Sequence, residues 1–362
     1  MRKSITTLLL LILVGISVFA LNVFNKEPLY HSQSYLFGTL VDISIYGEPE
    51  ARARQLSNQI FSDFQTLHQQ LHAWKPATTH QASELGRLNH AFAQGKQAVD
   101  VSPLLAHMLH EATALSIKSN GLFNPAIGHL IGTWGFQRDE IDPMDVDDNQ
   151  IQSLVQANPQ MTDIVVKDQQ VYSNNAAVKL DFGGYAKGYA LDIAADYLRR
   201  QQIKNALINI GGNVIALGQH GKKPWRVGIQ HPRQPSAIAS LILPDGWAIG
   251  TSGDYQRFFT TRDGKRYCHM IDPRTGYPVQ HTQAVTVLIP PQAPSRTQAG
   301  VLSDVASKPI FIASLEDKTK AAAMFDIQNF MYIDQQSHIT VSKNMVKKLQ
   351  WLDAHVKFTT IP

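Results

Sequence analysis

Cysteine is almost missing from this sequence: Cys268 is the only one among 362 residues. No disulfide can form within the chain, and no thiolate cluster can hold a metal. Dense blocks of Lys and Arg are also absent. The formal charge of +4 is small for this length, so nucleic acid is not expected as a partner. The acidic run from Asp139 to Asp148 lacks the residue order and glycine of an EF-hand, and reads as a solvated insertion. No internal repeat and no low-complexity segment occur. Cys268 stands beside His269, but neighbours on an extended strand point to opposite faces. Cys268 therefore reads as a small buried hydrophobe and not as a nucleophile.

What is present is an ordinary globular balance, 44% hydrophobic and 17% charged, in a chain long enough for one large or two ordinary domains. Met1-Arg2-Lys3 precedes an apolar run from Leu8 to Ala20 that continues through Leu21, Val23 and Phe24. A basic start before an apolar core fits a secretory signal, and Ile5 to Phe24 is also about the ~20 residues that cross a bilayer. Residues 1–27 thus read as a cleaved signal peptide or a retained N-terminal membrane anchor. Residues 28–362 read as one exported unit, periplasmic or otherwise outside the cytoplasm, with the basic end left inside.

The thirteen residues Leu180 to Asp192 organise that unit. Three glycines, Gly183, Gly184 and Gly188, share them with Lys187 and the carboxylates Asp181 and Asp192. Ala177 to Leu180 is strand-like, and Ala190, Ile193, Ala194 and Leu198 repeat at helical spacing. The expectation is strand, glycine turn, helix. Such a corner offers backbone N–H groups and a lysine to a phosphate, although it matches neither the P-loop nor the G-x-G-x-x-G spacing.

Other elements follow by period. Val41, Ile43 and Ile45 alternate within Tyr35–Tyr46, as in a half-buried strand opened by Gly38. Glu48 to Leu71 and Val101 to Ser119 read as amphipathic helices, and Ser83 caps a short one. His107 and His110 read as surface residues. Gly121-Leu122-Phe123-Asn124-Pro125 is a stiff loop whose Phe123 could stack on a flat ring. Ala206 to Gly218 reads as a strand bent at Gly211-Gly212. Gly250 to Tyr255 reads as a loop with two hydroxyls and a carboxylate, and Arg262 to Lys265 as a hairpin turn. Tyr267 to Pro278 reads as a strand and tight turn bearing His269, Asp272 and Arg274. Ala299 to Ala313 reads as a helix broken by Pro309.

Taken in order, these segments resemble the FAD:protein FMN transferases, the ApbE-type flavin transferase family. The resemblance runs from about Phe37 to Phe311. Asp181-Phe-Gly-Gly-Tyr-Ala-Lys-Gly188, Ile208-Asn-Ile-Gly-Gly-Asn213, Thr251-Ser-Gly-Asp-Tyr255 and His269-Met-Ile-Asp-Pro-Arg-Thr-Gly276 carry it, supported by Phe37-Gly-Thr, Gly121 to Pro125 and Trp134-Gly-Phe136. The family implies an exported α/β (α+β) protein with mixed, largely antiparallel sheets and flanking helices. It implies FAD as substrate, with FMN moved onto a threonine or serine of an acceptor protein, AMP released and magnesium as the metal. By the match, Phe37, Gly121, Leu122, Phe123, Asp181, Lys187 and Asp272 would contact FAD. Gly184, through its carbonyl, and Asp304 would hold the metal. His269 is the candidate for taking the acceptor hydroxyl's proton.

One position departs from the pattern. The family places a threonine ligand four residues after the aspartate, and here that residue is Lys308. An ammonium has no lone pair for magnesium. At helical spacing it would pair with Asp304 instead. Three readings stay open: Lys308 swings away and Ser307 ligates in its place, the ammonium supplies the metal's charge, or metal-dependent activity is absent. Two other functions also stay open, an FAD pyrophosphatase in which water replaces the hydroxyl and a non-enzymatic exported flavin-binding protein.

Overall fold

The computed structural model describes residues 28–74, 82–95, 97–138, 141, 143, 146–262, 264–291 and 298–362. The signal or anchor reading falls on residues 1–27, outside the described residues, as does much of the Asp139–Asp148 insertion. Among the described residues, no helix is long and apolar enough to cross a membrane.

The frame is a nine-stranded sheet whose strands lie side by side in chain order: Leu29–Leu36, Thr39–Tyr46, Ala206–Ile210, Asn213–Leu217, Ala248–Gly253, Thr282–Ile289, Phe330–Asp334, Ile339–Ser342 and Phe358–Ile361. Every neighbouring pair is antiparallel except the last, which is parallel. The expected mixed, largely antiparallel α/β architecture is what the chain forms.

Period two sorts the strands' side chains between two cores. Ile215 and Leu217 face a main core, while Val214 and Ala216 face a second one. Val285, Val287 and Ile289 divide from Ala284 and Leu288 in the same way. The main core is closed by the helices Glu50–Gln70, Glu84–Gln94, Pro103–Lys118, Ala186–Arg200, Ala299–Val305 and Ser307–Ile312. The second is closed by a three-stranded sheet of Leu349–Trp351, Ala237–Leu243 and Trp225–Gln230. A third cluster, around Trp134, Phe136, Ile151, Phe259 and Ile271, gathers the helices Gly128–Thr133 and Asp148–Ala157 against the hairpin Phe258–Thr260/Arg266–Cys268.

Several elements differ from the sequence reading. Tyr35 to Tyr46 is not one strand: Leu36 ends an edge strand, and Phe37-Gly38 form a tight turn with φ of 55° and 70°. Ile210 to Asn213 is likewise a hairpin and not a bend, with φ of 57° and 93° at Gly211 and Gly212. Positive φ at both central residues matches the twist of the flanking strands. Thr251 to Gly253 continue a strand that begins at Ala248, so they are not a loop. Ala177 to Leu180 is no full strand; it makes one isolated bridge, Lys179 to Ile127. The helix from Ala299 breaks at Ala306, three residues before Pro309. Pro309 then sits in the first turn of the next helix, where its missing N–H costs little.

Candidate functional site

The glycine corner is set by Asp181. Its Oδ1 accepts the Gly183 N–H at 2.7 Å, and its Oδ2 accepts the indole N–H of Trp74 at 2.8 Å. The Lys179 ammonium lies 3.9 Å above the Trp74 ring. Tyr185 is fully buried and donates its hydroxyl to Glu111. The helix Ala186–Arg200 then starts, and Lys187 reaches back to the Gly183 carbonyl at 3.0 Å.

Against this corner lies the start of a second helix. Asp192 accepts the N–H groups of Gly300 and Val301, each at 2.8 Å, and so satisfies two free donors at the N-terminus of Ala299–Val305. Gly188 and Gly300 face each other: a Cβ on Gly188 would lie 2.8 Å from the carbonyl carbon of Gly300 and from Cβ of Asp304. That close crossing delivers Asp304 to the corner.

Asp304 is 2% exposed. Its Oδ1 receives Lys308 Nζ at 2.7 Å; its Oδ2 receives the Gly188 N–H at 3.1 Å and lies 3.6 Å from Lys187 Nζ. Burial alone would raise the carboxyl's pKa, but the two ammonium groups outweigh it and hold Asp304 well below the usual carboxylate range. Burial lowers Lys308 in turn, against the pull of Asp304. The charged pair is the state that fits the geometry, because both partners are hydrogen-bonded in their ionised forms. The expected i,i+4 pair therefore forms, and the Lys308 stem lies along Gly184, whose added Cβ would sit 2.6 Å from Lys308 Cε.

These residues do not fit a divalent cation. Both carboxylate oxygens of Asp304 are taken, and its carbonyl accepts from Lys308 and from the Ser307 hydroxyl. Ser307 is 1% exposed and also pairs with Ser252 at 2.8 Å, so its oxygen is engaged from two sides. Among the described residues no three His, Cys, Asp or Glu side chains gather as a metal site.

His269 is half-buried and senses the charges of Lys187 and Lys308. Its Nδ1 lies 3.2 Å from the Arg257 carbonyl. A carbonyl only accepts, so Nδ1 carries the hydrogen and Nε2 keeps its lone pair. Desolvation, followed by the lysine charges, pushes the imidazole down to about 4 despite the carbonyl's opposing pull. Arg257 also donates to the Phe136 and Arg138 carbonyls, and its guanidinium lies beside Gly38. Gln256 donates to the Gly211 carbonyl at 3.3 Å. The Gly211 N–H donates to the Leu40 carbonyl at 3.1 Å. The two hairpin tips, Phe37-Gly38 and Gly211-Gly212, thus both approach Gln256-Arg257, whose Arg257 carbonyl meets His269.

The other candidates are placed less centrally. Phe37 packs its ring on Phe64 and His68. Gly121 follows the end of the helix Pro103–Lys118 with φ of 76°, its N–H donating to the Ser116 carbonyl, and Leu122 and Phe123 are 8% and 4% exposed in the main core. That loop offers backbone rather than the Phe123 ring. Asp272 closes its own turn and is bound by the Arg274 guanidinium at 2.7 Å. Asp254 is held by Arg233 through two bonds of 2.7 and 2.6 Å, and the Thr251 hydroxyl by Thr286. Those groups brace the strand. Cys268 is buried, and burial pushes its thiol up to about 12, as suits an inert hydrophobe. A groove of about 860 Å³ lies elsewhere, lined by His231, His338, His355 and Lys357, and contains none of the motif residues.

Sequence reasoning missed Trp74, Arg257 and Lys318. Lys318 is fully buried and donates to Thr282 Oγ1 and the Ile310 carbonyl, each at 2.8 Å, and to the Phe311 and Ala313 carbonyls. It caps the C-terminal end of the helix that carries Lys308.

Residues 37–331 match the model of the ApbE family. The chain belongs to that family. An FAD:protein FMN transferase of Rhodobacter capsulatus is 37% identical over 316 residues, 87% of this chain, which spans 57% of that relative's length. One from Klebsiella pneumoniae (strain 342) is 32% identical over 73% of this chain and 78% of its own. The crystal structure of the ApbE protein from Thermotoga maritima superimposes with a TM-score of 0.76 at 26% identity, covering 89% of this chain and 99% of that one.

Proposed function

We propose that this chain is an FAD:protein FMN transferase, which moves FMN from FAD onto a threonine or serine hydroxyl of an acceptor protein and releases AMP. The observation that carries this reading is the glycine corner, where Lys187, Lys308 and Asp304 meet beside a neutral His269. Phosphoryl transfer is mostly positioning and charge neutralisation. Two ammonium groups against one carboxylate leave a net positive corner for the pyrophosphate of FAD.

In the transfer, the acceptor oxygen bonds to the FMN-side phosphorus while the bond from that phosphorus to the bridging oxygen breaks. AMP departs with that oxygen, and the hydroxyl's proton passes to Nε2 of His269. The carbonyl of Arg257 fixes the tautomer that leaves Nε2 open. The backbone of the Phe37-Gly38 and Gly121–Phe123 turns, with Asp181 and Asp272 shaping their own corners, would line the flavin and adenine portions. Asn213, beside the Gly211-Gly212 tip, has a buried side-chain nitrogen without a protein partner among the described residues, a donor suited to a ligand oxygen. The basic and apolar N-terminus supports export, with the acceptor on the same side of the membrane.

Chromatography of FAD incubated with the purified chain tests this reading. AMP is expected to appear only when an acceptor is present, in step with acceptor modified. FMN and AMP formed without acceptor would identify a pyrophosphatase. FAD that stays bound and intact under all conditions would identify a flavin-binding protein.

A further inference from the structure

We infer that the corner at Asp304 works without a divalent cation, because Lys308 supplies from within the chain the positive charge that the site presents to the pyrophosphate. The inference rests on the transferase reading and specifies how its site is charged. Four observations carry it. Lys308 Nζ is 2.7 Å from Asp304 Oδ1. The other oxygen is filled by the Gly188 N–H and faces Lys187. The lysine stem lies along Gly184, where any larger residue would displace it. Lys318 and the Ser252–Ser307 pair clamp the short helix Ser307–Ile312 that presents the lysine. An ion at Asp304 would have to expel a partly buried ammonium already bonded to its ligand.

The ammonium is also poised to act outward. It has three protons, and its acceptors among the described residues are two, both on Asp304. The Lys308 side chain keeps 13% of its surface exposed, against 3% for Asp304. A third N–H therefore remains for an anion, beside Lys187 on the same carboxylate. Lys187, Lys308 and Asp304 together count two positive charges and one negative, a net charge of +1 that the chain carries itself.

The experiment uses the whole chain, stripped of metals, with FAD and an acceptor protein, and reads two quantities. The first is the rate of flavin transfer in EDTA and in millimolar magnesium. The second is direct binding of Mn2+, followed by its electron spin resonance signal, with and without FAD. We expect an equal rate in EDTA and magnesium and no Mn2+ bound near the site. We expect Lys308→Thr to bind Mn2+, and the further change Asp304→Asn to abolish that binding. Lys308→Met should slow transfer by about 10²–10³-fold, the scale for losing one preorganised donor aimed at developing negative charge, and magnesium should not rescue it. A wild-type rate that vanishes in EDTA and returns with magnesium would overturn the inference. So would Mn2+ binding by the wild-type chain that Asp304→Asn removes. If no acceptor is modified under any condition, the transferase reading has failed, while the Mn2+ measurement on wild type still decides the metal question. Should Lys308→Thr not fold, the two wild-type measurements suffice.

Discussion

The crossing of Gly188 over Gly300 holds the candidate site together, and Gly188→Ala tests it with two effects of opposite sign. Gly188 lies in the first turn of the helix Ala186–Arg200, where alanine is the better helix former by about 0.5–1 kcal/mol. Propensity alone therefore says that the variant gains stability. The structure says otherwise. The new methyl would sit 2.8 Å from the carbonyl carbon of Gly300 and from Cβ of Asp304. One of these obstacles is backbone and the other is on a side chain 2% exposed, so neither can rotate away. Overpacking of this kind costs about 1–3 kcal/mol, and the upper end applies where backbone must move. The net loss is then about 2 kcal/mol. Pushing the helices apart also stretches the 3.1 Å bond from the Gly188 N–H to Asp304. Urea unfolding of the metal-free, flavin-free protein reads the effect as a lower midpoint at unchanged slope. Gly132→Ala is the companion, because its methyl meets only the edge of the Trp74 ring at 3.2 Å. It is expected to be close to neutral. If Gly188→Ala proves as stable as the parent, or more so, the close approach of the two helices is wrong.

Other expectations concern the site's chemistry. His269→Asn should lower transfer by about 10²–10⁴-fold, the usual worth of a positioned proton acceptor, while FAD still binds, as equilibrium fluorescence would show. The depressed imidazole predicts that kcat/KM holds as pH falls through 6.5 and drops only towards about 4. The same shift acts on stability. Between about 4 and 6.5 the unfolded chain binds a proton at His269 that the folded chain does not, so stability rises with pH across that window. His269→Asn should flatten that part of a stability-against-pH curve. Trp74→Phe removes the 2.8 Å indole bond to Asp181 and should cost about 1.5–3 kcal/mol, as for a hydrogen bond to a charged group, discounted for the half-exposed position. Calorimetry would read the loss together with weaker FAD binding. Lys318→Met leaves the carbonyls of Ile310 and Ala313 unsatisfied. It should destabilise the protein by about 1–3 kcal/mol and slow transfer by loosening the helix that presents Lys308, which paired unfolding and rate measurements would detect.

Much of this was legible in the sequence where period and burial agree. Val41, Ile43 and Ile45 alternate because one face of their strand meets the main core, and Glu50–Gln70 shows its apolar stripe for the same reason. Leu29–Leu36 was missed because it is an edge strand with polar residues on both faces and with Leu29 and Tyr35 exposed. Thr282–Ile289 is buried throughout, so its period of two divides apolar side chains between two cores and not between core and solvent. The hairpin tips at Gly38 and Gly211 carried glycine signals, but only pairing shows that both chains reverse there. In the site, the spacing of Asp304 and Lys308 foretold their ion pair. It could not show Gly184 against the lysine stem or Arg257 holding His269, because those contacts join segments far apart in the chain. Lys318 looks like a surface residue in sequence. Only the carbonyls that converge on it at the end of Ser307–Ile312 explain its burial.

The most direct measurement of the central claim is the intact mass of an acceptor protein before and after incubation with this chain and FAD. The account predicts a gain of one FMN group on a single threonine or serine, absent when that residue is alanine and absent without the enzyme. An acceptor whose mass never changes, while the chain binds FAD and remains folded, would contradict it.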